Sequence, residues 1–418
     1  MSGFRHSLTG ETLVPLTFIK EDSVRNFTTI IVGGGPHGVM LLRQLQARGA
    51  QQDEIAIVDS RPLLHWWRER LHDCDTQWLR SGPEHHVDAP VASSLRSFAR
   101  ERGREDEFAT DAHRPMVSLF NDHASHVIER SGLERQRIAA VAHGFSRLPN
   151  GTLLLRTSEG SLATRHLVLA TGPGGPFYPR WATRLGSSRV CHIFDQTFER
   201  SSLEPGCRVI LIGGGISGVQ VALALAEAGH QVTVLTRRVI GVSATTTPED
   251  WTAARLAQMT ALPYEQRFEM LQGAGDKGTL PSWEQQRLAE ALRSRTIVHR
   301  VCNIESIRSE GADVCVYIAG GRPDVERAHT VVLGTGFIRD LPEWLRTSAR
   351  NLNLPLTPSG APILEPSLEW GTGSCIYLMG AGSAPVLGPY AANLIGGMLG
   401  SERIAVSIVS ESSCAPRG

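Results

Sequence analysis

Two copies of a G-x-G-x-x-G pattern, about 180 residues apart, constrain the fold of this chain more than any other feature. The first, GGGPHG at 33–38, follows the apolar run TTIIV at 28–32, and the second, GGGISG at 213–218, follows RVILI at 208–212. Each pattern also opens a helical segment. A strand, a glycine turn and a helix in this order present backbone N–H groups to a pyrophosphate. The sequence therefore predicts an α/β fold with two Rossmann-like dinucleotide-binding domains.

The residues expected to bind each dinucleotide are the three glycines of the pattern and the residues that begin the helix. Glycine permits the tight turn and the close approach of the backbone to the pyrophosphate. The predicted residues are Gly33, Gly35, Pro36, His37 and Gly38 in the first copy and Gly213, Gly215, Ser217 and Gly218 in the second.

The residue after the second strand of each unit predicts which dinucleotide is bound. In the first unit the strand EIAIV at 54–58 ends on Asp59, whose carboxylate suits a ribose with a free 2′-hydroxyl. In the second unit Thr236 takes that position, and Arg237 and Arg238 follow it. Because guanidinium groups bind phosphate, the second site is expected to prefer NADP over NAD. The alternative is two surface arginines in a chain whose only lysines are Lys20 and Lys277.

Each half of the chain continues in the same way after its glycine pattern. Short alternating segments are followed by a buried strand that ends in Thr-Gly, LVLATG at 167–172 and VVLGTG at 331–336. The predicted domains are an FAD-binding domain (27–175), an NADP-binding domain (205–330) with a helical insertion at 240–296, and a return segment of the FAD-binding domain (331–405). Small β-meanders complete each half.

Composition excludes several classes of function. The chain has 418 residues, 42 basic and 42 acidic, so its formal net charge of zero does not indicate a nucleic-acid partner. No run approaches the roughly 20 apolar residues of a membrane span, and the N-terminus lacks the pattern of a signal peptide. The seven cysteines form no C-x-x-C motif or zinc-like spacing. We therefore expect a cytoplasmic protein with no metal site.

On these residues the chain resembles the NADPH-dependent flavin monooxygenases, and among them the amino-acid N-hydroxylating group (lysine and ornithine N-monooxygenases). The resemblance covers roughly residues 27–400. It is carried by GGGPHG, the segment 66–86, ATG at 170–172, GGGISG, GTGF at 334–337 and YLMGAGSAPVLGPYAANLIGG at 377–397.

The resemblance implies that the first fingerprint binds FAD and the second binds NADPH. It places Gln77 against the flavin or its oxygen adduct and Arg80 in the same cavity, so these two are the candidate catalytic residues. An alternative for this segment is that its tryptophans only fill the core. Further expected cofactor contacts are Trp67, Thr171, Gly172, Gly336, Gly380, Leu387 and Gly388.

The implied activity is a monooxygenase in which a C4a-hydroperoxyflavin oxygenates an amine nitrogen, or a sulfur, of a small molecule. Its expected partners are that substrate and O2, and the sequence leaves open whether the chain forms a homo-oligomer. The alternative is an FAD-containing NADPH reductase that passes electrons to a protein or small-molecule acceptor. Reduction of a disulfide is disfavoured, because Cys74 has no partner at short spacing.

Overall fold

The computed structural model describes residues 24–110, 114–182, 189–196, 198–242, 251–273, 279–320, 324–338 and 340–414. The residues before 24, on which the expectation about a signal peptide rests, lie outside the described part. Within the described ranges, no helix is both long enough and apolar enough to cross a membrane.

The strands belong to two large and two small sheets. In chain order they are β1 (Arg25–Val32), β2 (Ile55–Val58), β3 (Arg137–Ile138), β4 (Ala142–Arg147), β5 (Leu153–Thr157), β6 (Gly160–Leu169), β7 (Val190–His192), β8 (Arg208–Ile212), β9 (Gln231–Thr236), β10 (Gly241–Val242), β11 (Thr279–Leu280), β12 (Ile297–Val301), β13 (Ile304–Glu310), β14 (Asp313–Ile318), β15 (Asp324–Ala328), β16 (Thr330–Leu333) and β17 (Ile376–Leu378).

The α-helices pack on these sheets. They are α1 (Pro36–Ala47), α2 (His65–Asp73), α3 (Ser94–Glu101), α4 (Val117–Arg130), α5 (Ile216–Glu227), α6 (Ala253–Ala261), α7 (Tyr264–Gly273), α8 (Ser282–Arg293), α9 (Glu343–Asn351), α10 (Ala384–Leu387) and α11 (Leu394–Cys414).

The first large sheet has the strand order β3-β2-β1-β6-β5-β4. Strands β1, β2, β3 and β6 are parallel, whereas β4 and β5 form an antiparallel meander on the long strand β6. Strand β17 pairs in parallel with the carboxyl-terminal half of β6, so the end of the chain returns to this sheet. The sequence of a fully buried strand such as β2 is continuously apolar, because helices cover both faces of a parallel sheet.

The second large sheet is entirely parallel, with the order β12-β9-β8-β16-β7. Its first crossover, β8-α5-β9, repeats the plan of β1-α1-β2 in the first sheet. Strand β16 belongs to this second sheet, so the chain leaves it after Leu333 and not at the predicted boundary between 330 and 331. The predicted α/β class with two Rossmann-like units is confirmed.

Two connections join the units side by side. Residues Pro176 and Phe337 form an antiparallel bridge, and the N–H of Phe177 donates to the carbonyl of Gly336. The N–H of Ile338 donates to the carbonyl of Gly175 in the same way. The two segments that follow the Thr-Gly ends of β6 and β16 are therefore hydrogen-bonded to each other.

The predicted helical insertion contains α6, α7 and α8 within its described residues. Helix α6 is capped by the hydroxyl of Thr252, which accepts from the N–H of Arg255 at 3.3 Å. Helix α8 packs on α5, where Gln220 Nε2 donates to the buried carboxylate of Glu284 at 2.9 Å. The insertion is thus anchored to the second unit by a satisfied buried polar contact.

Candidate active site

The first glycine turn can be built only with glycine at two of its positions. Gly33 has a φ of +114°, and a side chain there would overlap the carbonyl oxygen of Ala170. A side chain on Gly38 would overlap the carbonyl oxygen of Gly33. Gly35 differs, because no atom lies within 4 Å of the place where its Cβ would be. The open space over Gly35 is where a ligand can approach the backbone.

The second glycine turn has the same design. Gly213 has a φ of +140°, and a side chain on it would overlap the carbonyl of Gly334. A Cβ on Gly218 would lie 3.1 Å from the carbonyl oxygen of Gly213, whereas Gly215 again faces open space. Both turns are therefore closed on the protein side and open on the side where a pyrophosphate would lie.

Both turns end at a helix without a side-chain cap. Gly35 is the N-cap of α1 and Gly215 is the N-cap of α5, and neither helix has a hydrogen bond from a capping side chain. The first-turn N–H groups of a helix lack intrahelical partners and favour an anion. Each helix therefore presents an anion-binding end.

The first glycine turn and Ser217, on the helix that follows the second turn, line one cavity of about 730 Å³. Its wall is formed by the first glycine turn, helix α2, the crossing segments after β6 and β16, and the residues between β17 and α11. The predicted site residues that line it are Gly33, Gly35, Pro36, His37, Asp59, Trp67, Thr171, Gly172, Ser217 and Gly380.

Several predicted residues do not line this cavity. The turn glycines Gly38, Gly213, Gly215 and Gly218 are not among its lining residues, and Gly336 precedes Phe337, which does line it. Leu387 is buried, and a Cβ on Gly388 would approach Leu256 and Trp251 of the insertion at 3.4 and 3.6 Å. The late turn at 387–388 therefore packs on the insertion, while Gly380 reaches the cavity.

The structure places Thr76 at the cavity and not Gln77. The side chain of Gln77 is exposed, and its carbonyl accepts from the N–H of Val117 at 2.9 Å. Arg80, the other candidate catalytic residue, is half-buried outside the lining. The hydroxyl of Thr76 donates to Gln220 Oε1 at 3.0 Å, so this segment contacts the second unit.

Asp59 holds the first turn as well as lining the cavity. Its Oδ2 accepts from the N–H of Gly34 at 2.7 Å, and its Oδ1 accepts from the N–H of Arg61 at 2.9 Å. Each carboxylate oxygen has a second lone pair that remains available to a ligand hydroxyl. The geometry fits a ribose with a free 2′-hydroxyl.

His37 lies in the first turn of α1, where burial favours the neutral form of the ring. Burial lowers its pKa, and its Nε2 lies 2.8 Å from the carbonyl oxygen of Asn393, which assigns the proton to Nε2. Helix α11 can come this close because it has glycine at 397, where a Cβ would lie 2.6 Å from the His37 ring. The ring thus ties the return segment to the first glycine turn.

At the end of β9, the hydroxyl of Thr236 holds the following turn. It donates to the carbonyl of Arg238 at 2.7 Å and lies 2.7 Å from Nε2 of His299, whose pKa burial lowers. Arg237 and Arg238 are both exposed, and within the described ranges neither has an ion-pair partner. Two unpaired guanidinium groups therefore stand beside the second glycine turn.

The cavity also contains residues that were not predicted as site residues. Arg70, on α2, lies over the ring of Phe337 at 4.8 Å and over that of Phe194 at 5.6 Å. The two rings are stacked, with centroids 4.9 Å apart and an interplanar angle of 11°. The sequence signal was available for Phe337, which is part of the GTGF segment, but no local pattern pairs it with Arg70.

One group of side chains in the described residues has the chemistry of a metal site. The ligand atoms of His166, Cys375 and Glu411 lie within 4.8 Å of one another. His166 is four residues before Ala170 along the strand that ends at the cavity, and none of the three residues lines it. This group is therefore separate from the candidate active site.

Comparison with known proteins places this geometry in a family. The model of the pyridine nucleotide-disulphide oxidoreductases matches residues 27–261, which is more than half of the chain and includes both glycine turns. The chain belongs to this family. The membership confirms the prediction of a flavin-dependent oxidoreductase that uses FAD and a nicotinamide dinucleotide.

Two curated proteins are similar in sequence to this family member. Indole-3-pyruvate monooxygenase from Oryza sativa subsp. japonica is 24% identical over 347 residues, covering 76% of this chain and 78% of that protein. Terpredoxin reductase from a Pseudomonas species is 32% identical over 87 residues, which is 20% of each chain.

Two solved structures share the fold along nearly the whole chain. Ornithine hydroxylase from Pseudomonas aeruginosa superposes with a TM-score of 0.76 at 17% identity, covering 93% of this chain and 100% of that one. The cadaverine monooxygenase of desferrioxamine biosynthesis from Erwinia amylovora, solved with FAD, superposes with a TM-score of 0.74 at 15% identity, covering 92% and 94%. The fold is therefore also that of amine-hydroxylating flavoproteins.

Proposed function

We propose that this protein is an NADPH-consuming, FAD-dependent monooxygenase that oxygenates an amine nitrogen, or a sulfur, of a small molecule. The observation that carries the proposal is the cavity of about 730 Å³. Residues of the first glycine turn and Ser217 of the second line the same space, and Cys74 is the one cysteine in its described lining.

The first turn fits FAD by its own geometry. The open space over Gly35 admits a pyrophosphate to the uncapped end of α1, and Asp59 stands where a ribose would follow. Thr171, Gly172 and Gly380 continue the lining toward α2, so they are the proposed neighbours of the flavin ring. In this arrangement Trp67 and Leu71 close the cavity with apolar surface.

The second turn fits NADPH in the same way. Gly215 leaves space over the uncapped end of α5, and Ser217 on its first turn lines the shared cavity. The exposed Arg237 and Arg238 supply guanidinium groups for a 2′-phosphate. The nicotinamide end would then enter the shared cavity, which is the approach that hydride transfer to a flavin requires.

The cysteines argue against disulfide chemistry in spite of the family name. All six cysteines described with side chains are free, and only Cys74 lines the cavity. Burial raises the pKa of its thiol to about 12, so the nucleophilic thiolate is scarce at neutral pH. A disulfide reductase needs an exchange-competent thiol beside the flavin, and this site lacks one within the described residues.

When bound and reduced, the flavin would supply the activation of O2. The chain contributes the shape and polarity of the site. Trp66, Trp67 and Phe337 line the cavity with aromatic surface, which would limit the access of water to a bound flavin. No acid–base residue of this chain is required for attack by a neutral amine.

The test is a stopped-flow experiment with the FAD-loaded protein. NADPH reduces the flavin without air, and buffer with O2 is then admitted. A transient absorbance that belongs neither to reduced nor to oxidised flavin supports the monooxygenase. Direct return to oxidised flavin, with one peroxide formed for each NADPH, contradicts it.

A reductase is the second candidate, because one segment resembles terpredoxin reductase. In a reductase the reduced flavin passes its electrons to an external acceptor, so the site does not need to stabilise a product of the reaction between flavin and O2. Rapid reduction of an artificial acceptor such as ferricyanide, combined with direct return to oxidised flavin in O2, would favour this function over the first.

A further inference from the structure

The imidazole of His166 is buried without a hydrogen-bond partner. Its side chain is fully buried in strand β6, and neither Nδ1 nor Nε2 has a partner among the described residues. Burial lowers its pKa to about 4, so the neutral ring predominates at pH 7. Because buried polar groups are nearly always hydrogen-bonded, an exception points to a water, an ion or another group that is bound there. His166 therefore needs a partner at bonding distance that the described polypeptide does not supply.

Two further side chains bring metal-ligand atoms to the same place. Oε2 of Glu411, near the end of α11, lies 3.9 Å from Nδ1 of His166 and 3.9 Å from Sγ of Cys375. The three ligand atoms all lie within 4.8 Å of one another. Cys375 comes directly before β17, and its carbonyl accepts from the N–H of Leu167 at 2.9 Å, which sets it beside β6. The group joins three elements that are far apart in the chain, so no local spacing predicts it.

The surrounding residues hold two of these ligands in place. Cys375 has a φ of +56°, a left-handed conformation that is uncommon for a residue other than glycine. Its N–H donates to Oε1 of Glu369 at 2.7 Å, which fixes the backbone that carries the thiol. The hydroxyl of Tyr377 donates to Oε1 of Glu411 at 3.4 Å and leaves Oε2 facing the thiol and the imidazole. Outer contacts of this kind orient the ligands of a metal ion.

The group lacks a positive charge at contact distance. Among the described residues, no arginine or lysine lies within ion-pair distance of Glu411. Burial and the carboxylates of Glu411 and Glu369 raise the pKa of the Cys375 thiol, and Arg147 and Arg165 counter this shift only in part. The thiol therefore keeps its proton while no cation is bound. A coordinated cation removes that proton, because a thiol bound to a metal ion is deprotonated.

We propose that His166, Cys375 and Glu411 bind a Zn²⁺ ion that ties α11 to β6 and to the residue before β17. Imidazole, thiolate and carboxylate are all ligands of zinc, whereas Mg²⁺ and Ca²⁺ take oxygen ligands. Zn²⁺ replaces the proton of the Cys375 thiol, which passes to solvent, and no oxidation state changes. A bound cation and burial both disfavour the protonated form of His166.

The geometry needs only a small adjustment to hold the ion. The ligand atoms of a tetrahedral zinc ion lie roughly 3.3 to 3.8 Å apart, and the two separations of 3.9 Å from Glu411 are close to this range. The side chain of Glu411 is 36% exposed, so it can move inward and leave the fourth position to a water molecule. None of the three ligands lines the cavity proposed for FAD, so we expect the ion to stabilise the fold and not to react. The inference does not rest on the proposed function.

Equilibrium dialysis of the FAD-loaded protein against Zn²⁺ tests the site. The protein is first treated with EDTA and dialysed free of it, and bound zinc is then counted by mass spectrometry. We expect one zinc ion per chain with a Kd below about 10 μM. Mg²⁺ should not compete for it, because magnesium takes oxygen ligands. Zn²⁺ should also raise the urea midpoint of unfolding, because it binds the folded site more tightly than the unfolded chain.

Two variants remove a ligand with little change of side-chain shape. We expect Cys375→Ser and Glu411→Gln each to weaken zinc binding about 100-fold and to lose the rise in the urea midpoint. The matched controls are Cys302→Ser, at a half-buried cysteine, and Glu402→Gln, at an exposed carboxylate of α11. Both should stay within about 3-fold of the wild-type Kd. FAD content reports that each variant is folded, and Glu411→Gln serves if Cys375→Ser loses FAD.

Co²⁺ provides an independent signature of the cysteine ligand. In place of zinc it gives a near-ultraviolet charge-transfer band when a thiolate is bound, measured as the difference from the metal-free, FAD-loaded protein. This band should appear in the wild type and in Cys302→Ser and be absent from Cys375→Ser.

The proposal is overturned if the wild type binds no zinc with a Kd below about 10 μM. It is also overturned if Cys375→Ser and Glu411→Gln bind zinc as tightly as the wild type does, which would identify an adventitious ion only. A cobalt complex of the wild type without the thiolate band excludes the proposed ligand set. A failure of the monooxygenase appears separately, in the reaction of reduced flavin with O2.

Discussion

The N–H of Gly34 donates a 2.7 Å hydrogen bond to Oδ2 of Asp59, which links the middle of the first glycine turn to the end of the next strand. The same carboxylate lines the cavity proposed for FAD. One side chain therefore shapes the turn that approaches the pyrophosphate and presents an acceptor to the ribose.

We expect Asp59→Ala to weaken FAD binding about 10- to 100-fold, because it removes charge-assisted hydrogen bonds to both partners. Equilibrium dialysis or flavin fluorescence measures this Kd. Asp59→Asn retains one acceptor oxygen and should lose less. The role is contradicted if Asp59→Ala binds FAD as tightly as the wild type does.

Substitution by alanine should affect different properties at two glycines of the first turn, stability at one and FAD binding at the other. Gly33→Ala places a methyl group against the carbonyl of Ala170 at a φ of +114°, so we expect loss of folding yield and stability. Gly35→Ala meets no protein atom within 4 Å and has an ordinary φ of −74°, so the protein should fold but bind FAD poorly. Thermal unfolding of the apoproteins and FAD titration separate the two effects, and equal stability of both variants would refute the distinction.

The sequence predicted the elements around the glycine turns well, because local chemistry determines them. Each glycine pattern predicts a helix that begins within it, and the structure has these helices at Pro36–Ala47 and Ile216–Glu227. Strand alternation and the Thr-Gly ends likewise predict β6 and β16. These signals are local in the chain, so one sequence is enough to detect them.

The wall of the cavity could not be predicted to the same extent. After α2 the chain reverses at Asp75, whose φ is +55°, and the N–H of Thr76 donates back to the carbonyl of Leu71. This reversal turns Thr76 inward and leaves Gln77 exposed, and no glycine marks it in the sequence. The contact of Arg70 with Phe337 likewise joins residues far apart in the chain.

The paired arginines after β9 should determine the choice of nucleotide. For the double variant Arg237→Ala/Arg238→Ala we expect the Kd of NADPH to rise about 10- to 100-fold and that of NADH to change less than about 3-fold, since only NADPH carries the 2′-phosphate. Anaerobic flavin reduction at varied nucleotide concentration measures both. The exposed Arg165, on the first sheet, provides a control as Arg165→Ala. Equal losses for the two nucleotides would rule out a contact with the 2′-phosphate.

Cys74 should be dispensable for electron transfer. Its thiol is buried and its pKa is raised to about 12, so it is a poor nucleophile at neutral pH. We expect Cys74→Ala to keep the rate of flavin reduction by NADPH within about 3-fold of the wild type, and the native thiol to react slowly with iodoacetamide. If Cys74→Ala still binds FAD but its rate of flavin reduction by NADPH falls 100-fold or more, the thiol takes part in electron transfer and this prediction is wrong.

The stability of the protein should fall on acidification because of buried histidines such as His166. Its side chain is fully buried, and burial lowers its pKa from 6.5 to about 4. Between these values the unfolded chain takes up a proton that the folded protein does not, so the free energy of unfolding decreases as pH falls. The contribution of His166 is about 2 kcal/mol between pH 7 and pH 5.

Urea unfolding at pH 7 and pH 5, with the same excess of FAD, measures this loss. We expect His166→Gln to reduce the pH dependence by about 2 kcal/mol whatever its effect at pH 7, because glutamine does not titrate. His143→Gln, at an exposed histidine, is the matched control substitution. An undiminished pH dependence in His166→Gln would mean that His166 binds a proton in the folded protein, for example through the carboxylate of Glu411.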